Sequence, residues 1–421
     1  MNNFVKAIEL SKDIISDIDF MLNTRLKNTY FTRGTGKLNF ENLLLFILNF
    51  VKKSLQLELD NFFKNVVRSD LKITKQAYSQ AREKISPDAF KIMDKKIVEW
   101  LYSNENNYKT FKGYRLSAID ATVLELNNSK RLREVYGYVE NKTTQVARAL
   151  ASGIYDIENN IMLTTKITKY KTGERDLAKD LIDQLKDIGL KNDLILFDRG
   201  YPSKDFIEHL ETTGIKYLMR VSKYFILEVN EALKNDQIVE FISNGHIFKS
   251  RVVRVILSNG TEEILITNLF EDSLTTEDLK VLYFKRWGIE TKFKEVKCCL
   301  QIENFTGDSE ISVEQDFYAS MYLINMASIA KNDANEKIAE TNLNKNLKYE
   351  YKTNTNILIG KLKDSLVIML LENEPSKRNE ILDSIMSEIQ RNLTPIRNDR
   401  SYVRNTSLKA NKHSLNRKRC L

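Results

Sequence analysis

The sequence predicts a mixed α/β fold, in which a sheet of parallel and antiparallel strands is flanked by helices. Residues 1–110 carry apolar residues at three- and four-residue spacing, which is typical of helices. Residues 111–221 contain three consecutive strand patterns followed by alternating helix and strand patterns, which favours a mixed sheet. Residues 222–271 are β-rich, and the chain from residue 275 onward is again mainly helical.

Composition narrows the class of protein. The chain has 421 residues, of which 42% are hydrophobic and 29% charged, so we expect a globular protein of two or three domains. The net charge of +8 and the pI of about 9.0 favour a polyanionic partner. Three cysteines and three scattered histidines argue against a disulfide framework and a zinc site. The best apolar run, residues 43–50, is too short to span a membrane, and no signal peptide is visible, so we expect a cytoplasmic protein.

The N-terminal region contains a basic helix pair. Residues 71–100 read as two short helices, with Ser86 and Pro87 at the N-cap and the first position of the second. Such a pair could dock on DNA, or it could be a solvated helical hairpin. The tail over residues 391–421 holds nine Lys or Arg and one acid, Asp399. It is either a solvated end or a source of extra phosphate contacts.

Five strands are predicted before the β-rich block, at residues 113–126, 143–156, 161–170, 193–198 and 215–221. A turn is expected at residues 158–160, and an amphipathic helix over residues 173–189 ends at Gly189. The β-rich block begins with YFILEV at Tyr224, and its Asn259-Gly260 dipeptide is a hairpin signal.

Two aspartates lie at positions suited to metal-assisted phosphoryl chemistry. Asp120 is inside an apolar strand, where a charge is costly unless it is paired or metal-bound. Asp198 closes a strand of the buried parallel kind, whose carboxyl end faces the usual ligand crevice. Magnesium prefers oxygen ligands, and two divalent ions can hold the attacking and leaving oxygens of a phosphodiester. Alternatively, Asp120 is a satisfied polar residue and Asp198 a turn-starting residue ahead of Gly200.

A polar row follows near residue 290. Tyr283, Arg286, Glu290 and Lys297 would share a stripe about 60° wide on one helix, at about 100° per residue. An apolar stripe lies beside that row and consists of Leu282, Ile289, Phe293, Val296 and Leu300. The pattern fits a buried helix that borders a cleft, or a surface helix with an i,i+4 pair between Arg286 and Glu290.

Other charged and aromatic residues lie near these motifs, and the other acids among them are weaker candidates. Trp287 and Lys294 lie on the other border of the same helix face, and Arg199 could contact DNA or pair with a carboxylate. Glu174 and Asp176 start a helix, where acids are expected because of the helix dipole.

Three motifs together carry a resemblance to a known family. They are IDATV around Asp120, LFDRGYPS around Asp198, and Y-x2-R-x3-E-x6-K from Tyr283 to Lys297. With these motifs in this order, the sequence from about residue 70 to 330 resembles bacterial DDE transposases of the insertion-sequence-four group, which carry the Y-R-E-K signature.

The resemblance implies a ribonuclease-H-like catalytic core over residues 111–221 and 272–330, with residues 222–271 as a β-rich insertion. Helical regions at 1–110, for DNA binding, and at 331–421, with the basic tail, would flank it. The implied catalytic and metal-binding acids are Asp120, Asp198 and Glu290, which would hold two Mg²⁺ ions, with Mn²⁺ as a substitute. The expected DNA-binding residues are Tyr283, Arg286, Lys297, Trp287, Lys294 and Arg199.

The expected function is transposition of DNA. A phosphodiester at each transposon end would be hydrolysed, and the freed 3′-OH would attack target DNA. The partners would be double-stranded DNA at the ends and target and a second copy of the chain, in a bacterial, nucleoid-associated setting. Two alternatives are a non-catalytic DNA-binding protein derived from a transposase and a structure-specific nuclease on the same core.

Some relatives cleave through a DNA hairpin with a Trp in the insertion. Residues 222–271 contain no Trp, so a flipped-base pocket would need Tyr224, Phe225 or another group.

Overall fold

The structure is a computed structural model that describes residues 3–32, 38–49, 54–103, 108–188, 192–232, 234–257, 260–343 and 345–397. Contacts divide the chain into two compact units. The helical unit comprises Met1–Ile97, Leu124–Ala149 and Glu295–Leu421, and the sheet unit comprises Val98–Val123 and Leu150–Lys294. The predicted division into four regions is not tested by this grouping and stays a prediction.

The helices are, in chain order, α1 (Asn3–Ser16), α2 (Ile18–Thr24), α3 (Phe40–Ile47), α4 (Leu55–Asn61), α5 (Lys75–Arg82), α6 (Asp88–Tyr102), α7 (Lys130–Tyr136), α8 (Glu174–Leu185), α9 (Lys204–Thr213), α10 (Leu227–Asn230), α11 (Thr276–Phe284), α12 (Trp287–Cys298), α13 (Glu310–Asn342), α14 (Thr355–Leu371) and α15 (Pro375–Arg391), with a π-helical turn at Phe62–Val66.

The strands are β1 (Arg115–Glu125), β2 (Tyr138–Glu140), β3 (Gln145–Asp156), β4 (Ile161–Lys169), β5 (Asp193–Phe197), β6 (Lys216–Val221), β7 (Asp236–Ser243), β8 (His246–Ile256), β9 (Glu262–Thr267), β10 (Tyr351–Thr353) and β11 (Leu393–Pro395).

The helical unit is organised around the long helix α13, most of whose apolar residues are buried. Polar bonds tie it to the N-terminal helices: Arg82 pairs with Asp316 at 2.8 Å, and Asn325 donates to Asp94 at 2.8 Å. The helical prediction for the N-terminal region is confirmed. Helix α6 begins at Asp88, one residue later than predicted, a difference within the ordinary uncertainty of helix ends. In the part of the chain that the structure describes, no helix is both long and apolar enough to cross a membrane.

A mixed sheet forms the core of the sheet unit. Its strand order is β4-β3-β1-β5-β6-β9-β8-β7, and β2 pairs with the start of β3. Strands β1, β5 and β6 run parallel, whereas β9 is antiparallel to β6 and β8 is antiparallel to β9 and β7. All five strands predicted before the β-rich block are present, and the mixed sheet is confirmed. The turn between β3 and β4 covers residues 157–160.

The β-rich block extends this sheet, because β9 pairs directly with β6. One of its predicted strands is wrong: YFILEV holds the short helix α10 instead. Strand β6 already has β5 and β9 on its two sides, so no sheet edge is left there for another strand, and Tyr224 stays exposed. The β8–β9 hairpin is confirmed, but Asn259 of its turn lies outside the described residues, as do Gly189 and residues 398–421 of the basic tail.

Candidate active site

The pairing of β1 with β5 brings two predicted acids to the same level of the sheet. The two strands are parallel, and their register sets Ala118 opposite Leu196. Asp120 lies two residues beyond Ala118, and Asp198 lies two residues beyond Leu196. Because side chains alternate along a strand, corresponding positions on parallel neighbours point to the same face. Both acids are half-buried.

A buried ion pair fixes this register at the other end of the two strands. Arg115 donates from Nε and Nη2 to the two carboxylate oxygens of Asp193, at 2.6 and 2.9 Å. Both side chains are almost fully buried, so the pair is shielded from water. A bidentate contact between the first residues of β1 and β5 holds the strands that carry Asp120 and Asp198 in one alignment.

The turn after Asp198 is shaped by a glycine. The backbone N–H of Gly200 donates to Asp198 Oδ1 at 2.7 Å, and Arg175 Nε donates to the carbonyl of Gly200 at 3.1 Å. A Cβ atom at position 200 would lie 3.1 Å from the same Asp198 oxygen. The close approach of backbone and carboxylate therefore favours glycine at this position.

The predicted single helix through the polar row is wrong. Helix α11 ends at Phe284 and α12 begins at Trp287, with a turn between them. The junction uses i→i−3 bonds, from Arg286 N to the Tyr283 carbonyl at 3.1 Å and from Ile289 N to the Arg286 carbonyl at 3.2 Å. These tighter bonds change the angular repeat, so the row does not follow one α-helical stripe. The predicted apolar stripe is buried at all five positions, which are Leu282, Ile289, Phe293, Val296 and Leu300.

Arg286 lies at this helix junction and contacts Glu290. Its Nη2 donates to Glu290 Oε1 at 3.1 Å, as the spacing predicts, and its guanidinium lies 4.9 Å from the centre of the Trp287 ring. Arg286 is only 6% exposed, yet its Nε has no hydrogen-bond acceptor among the described residues. One donor of a buried cation is therefore available for a further acceptor.

The acids influence one another electrostatically. The pKa of Asp120 is raised to about 6, mainly by burial and further by the charges of Asp198 and Glu290, while Arg286 and the N–H of Ala121 act in the opposite direction. Charges from the turn after β5 and from α12 thus act on one carboxyl group of β1. The structure thus brings Asp120, Asp198 and Glu290 close enough for the charges of the other two to act on Asp120. The sequence predicted that the three acids would be grouped, but not how they would be arranged.

The donor set suits a hard divalent cation, since carboxylate oxygens are the ligands that magnesium prefers. Their mutual repulsion at Asp120 is also what a bound cation would offset. Among the described residues, however, no three His, Cys, Asp or Glu side chains are spaced to hold a metal ion together. Glu290 is engaged by Arg286 in this arrangement. The donor chemistry fits, and binding would require side-chain adjustment.

The other predicted site residues are distributed around the acids or away from them. Tyr283 is buried, and its pKa is raised to about 12, chiefly by burial, with Asp198 among the charges that act on it. Lys297 belongs to the helical unit, where its Nζ lies 3.6 Å from Glu303. The remaining three are exposed side chains of the sheet unit: Trp287, Lys294 and Arg199.

Two residues near the acids were not predicted as site residues. Glu174 begins α8, and its pKa is raised by burial and by Asp198. Tyr201 follows Asp198 by three positions and is 1% exposed. In the sequence, the position of Glu174 at a helix start was enough to account for an acid there, so it was not singled out. The sequence carried no signal for Tyr201 other than its closeness to Asp198.

A protein family and a solved structure are similar to this chain. A family model described as the transposase DDE domain matches residues 111–326, which is more than half of the chain. No curated protein sequence gives a significant match. Among solved structures, the chain is similar to a piggyBac transposase in a cryo-EM structure of its synaptic complex with hairpin DNA. The identity is 13% and the TM-score 0.48, over 92% of this chain and 86% of that chain.

The family match covers the whole span that contains both aspartates, the β-rich block and the polar row. Enzymes with this domain generally depend on a divalent metal ion. The chain therefore belongs to the family of transposases that carry a DDE domain, enzymes that cut DNA and join its strands.

Proposed function

We propose that Asp120, Asp198 and Glu290 are the catalytic acids of this transposase. The observation that carries the proposal is that Asp198 and Glu290 both raise the pKa of Asp120, so acids from three separate elements act at one point. Perturbed acids that converge from distant parts of a sequence are typical of functional sites, because a fold gains nothing from gathering like charges.

These acids would hold two divalent ions, with Mg²⁺ as the natural metal and Mn²⁺ as a substitute. When bound, such ions activate water and stabilise charge on a phosphodiester undergoing in-line displacement. The acids would orient the ions from one face of the sheet. The strand order β4-β3-β1-β5-β6, with β1, β5 and β6 parallel, supports a ribonuclease-H-like core for this arrangement.

Arg286 would contact the DNA backbone at the cleavage point. Its guanidinium is buried beside Glu290 and keeps one donor, Nε, without an acceptor among the described residues. A guanidinium held in this way suits a phosphate oxygen, and Tyr283 would line the same position. Further phosphate contacts would come from Lys297, Lys294, Trp287 and Arg199.

We infer that the reaction is hydrolysis of a phosphodiester at each transposon end, followed by attack of the freed 3′-OH on target DNA. Double-stranded DNA would be bound by the basic helix pair α5 and α6 and by the site itself, with two copies of the chain bridging two ends. The motifs around Asp120 and Asp198 and the Y-R-E-K residues support placement of this transposase in the insertion-sequence-four group. The protein would then act at the nucleoid of a bacterial cell.

The test is strand cleavage by wild type and Asp120→Asn, on a DNA fragment that carries the coding region with its flanking sequence. Wild type should cut in Mg²⁺ or Mn²⁺, and the variant should bind the fragment but cut at least about 100-fold more slowly. Glu240→Gln, which removes an exposed acid of β7, is the control and should cut normally. Wild-type cutting by a folded, DNA-bound Asp120→Asn would refute the assignment. Binding without cutting by wild type would instead favour a non-catalytic DNA-binding protein.

A further inference from the structure

Tyr201 is locked in place between the sheet and α9. Its ring centre lies 5.6 Å from that of Phe197, at the end of β5, and 6.1 Å from that of Phe206, in α9. The residue is 1% exposed. An aromatic ring packed on two others has few alternative rotamers, so the direction of its hydroxyl group is set by the core.

That hydroxyl group has no hydrogen-bond partner among the described residues. Buried tyrosine hydroxyls are normally paired, because leaving the donor unsatisfied costs free energy. The pKa of this phenol is raised well above its ordinary value, mainly by burial and further by the charges of Asp120, Glu174 and Asp198, while Arg286 acts in the opposite direction. A donor without an acceptor therefore lies among carboxylates that are the natural acceptors.

Asp120 has the capacity to accept this bond. Its Oδ1 takes the backbone N–H of Ala121 at 2.8 Å, and a carboxylate oxygen pair can accept several hydrogen bonds. Residues that hydrogen-bond to metal-ligating carboxylates fix their orientation, and their loss typically weakens metal binding or activity by about 10- to 100-fold.

We propose that Tyr201 is a positioning residue of the acid centre, whose hydroxyl group donates to the carboxylate of Asp120 when the acids close around a divalent cation. The inference rests on the metal centre proposed above and extends it. Among the described residues the hydroxyl group has no acceptor, and with a cation bound it would align the ligand.

Tyr201→Phe separates this role from simple packing, because it keeps the ring and removes only the oxygen. Thermal unfolding is measured without metal and across a Mn²⁺ titration, since a ligand that binds the folded state raises the melting temperature. The metal-free melting temperature should equal or exceed that of wild type, because an unpaired buried hydroxyl is removed. Mn²⁺ binding should weaken about 10-fold or more.

Tyr217→Phe is the matched control in the same unit. Tyr217 is 0% exposed, and its hydroxyl group pairs with Ser250 Oγ at 2.8 Å. Its loss should lower the metal-free melting temperature and leave Mn²⁺ binding unchanged. Wild-type Mn²⁺ affinity in Tyr201→Phe would overturn the inference, and so would a metal-free melting temperature lowered as in Tyr217→Phe. If wild type itself binds no Mn²⁺, the proposed centre fails too; if it binds and Tyr201→Phe matches it, only the role of Tyr201 fails.

Discussion

At the scale of single residues, ionisation of Asp120 is unfavourable when no cation is bound. Its pKa is raised to about 6 by burial and by the charges of Asp198 and Glu290. The folded state therefore holds a proton that the unfolded state has already lost between about pH 4 and pH 6. Stability from this group is present at low pH and is lost as pH rises through the folded pKa. A bound cation would remove the free-energy cost of ionising Asp120.

Asp120→Asn should consequently stabilise the metal-free protein at high pH. We expect an increase of about 1 to 3 kcal/mol in the free energy of unfolding at about pH 8, and little change at about pH 4.5. Asp236→Asn is a control of opposite sign, because Arg251 holds the pKa of Asp236 below its usual value. Thermal unfolding at the two pH values measures both. Destabilisation by Asp120→Asn at pH 8 would show that the Asp120 carboxylate is not repelled by Asp198 and Glu290.

Arg286→Lys tests whether the guanidinium does more than carry charge. Lysine keeps the positive charge but lacks Nε and the planar fork, so a positioned phosphate contact should be lost. We expect strand cleavage at saturating DNA to fall about 100-fold, with DNA affinity nearly unchanged. Lys249→Arg, an exposed change in β8 that also keeps the charge, should cleave normally. Equal cleavage by both variants would leave Arg286 with a structural role only.

At the scale of elements, the alignment of β1 and β5 depends on the Arg115–Asp193 pair. Asp193→Ala would leave a buried guanidinium without its partner, which should cost about 3 to 5 kcal/mol of folding free energy. The control is Glu240→Gln, which breaks the exposed pair with Lys249 between β7 and β8 and should cost less than about 1 kcal/mol. Denaturant unfolding measures both changes. A loss no larger in Asp193→Ala than in the control would show that strand alignment does not depend on the pair.

The elements also show how far sequence reasoning reaches. Strand β5 could be predicted because its apolar run is continuous, and β1 because it is rich in apolar and β-branched residues. Asp120 stood out as an acid inside that pattern. The break between α11 and α12 could not be predicted, since periodicity looks the same on either side of a short turn. YFILEV has strand-forming residues, but the preceding strand β6 already has a strand on each side, which only the tertiary arrangement decides. Glu174 was set aside as a helix-start acid and Tyr201 was missed for a related reason, because contacts between elements leave no mark on local spacing.

At the scale of the whole molecule, the excess of positive charge should appear as salt dependence of DNA binding. Residues 398–421 hold seven Lys or Arg and one acid and lie outside the described residues. Each phosphate neutralised contributes about 0.9 to the slope of log affinity against log salt. Deleting these residues should reduce that slope by up to about 5 while Mg²⁺-dependent cleavage at low salt persists. An unchanged slope would identify the tail as a solvated end.

Asp120, Asp198 and Glu290 are proposed to form one metal-binding centre. Calorimetric titration of Mn²⁺ into the full chain tests it most directly, with wild type compared against Asp120→Asn, Asp198→Asn and Glu290→Gln. We expect binding by wild type and an affinity at least about 10-fold weaker in each variant, because each acid would supply a ligand. Wild-type affinity in any of the three correctly folded variants would contradict it.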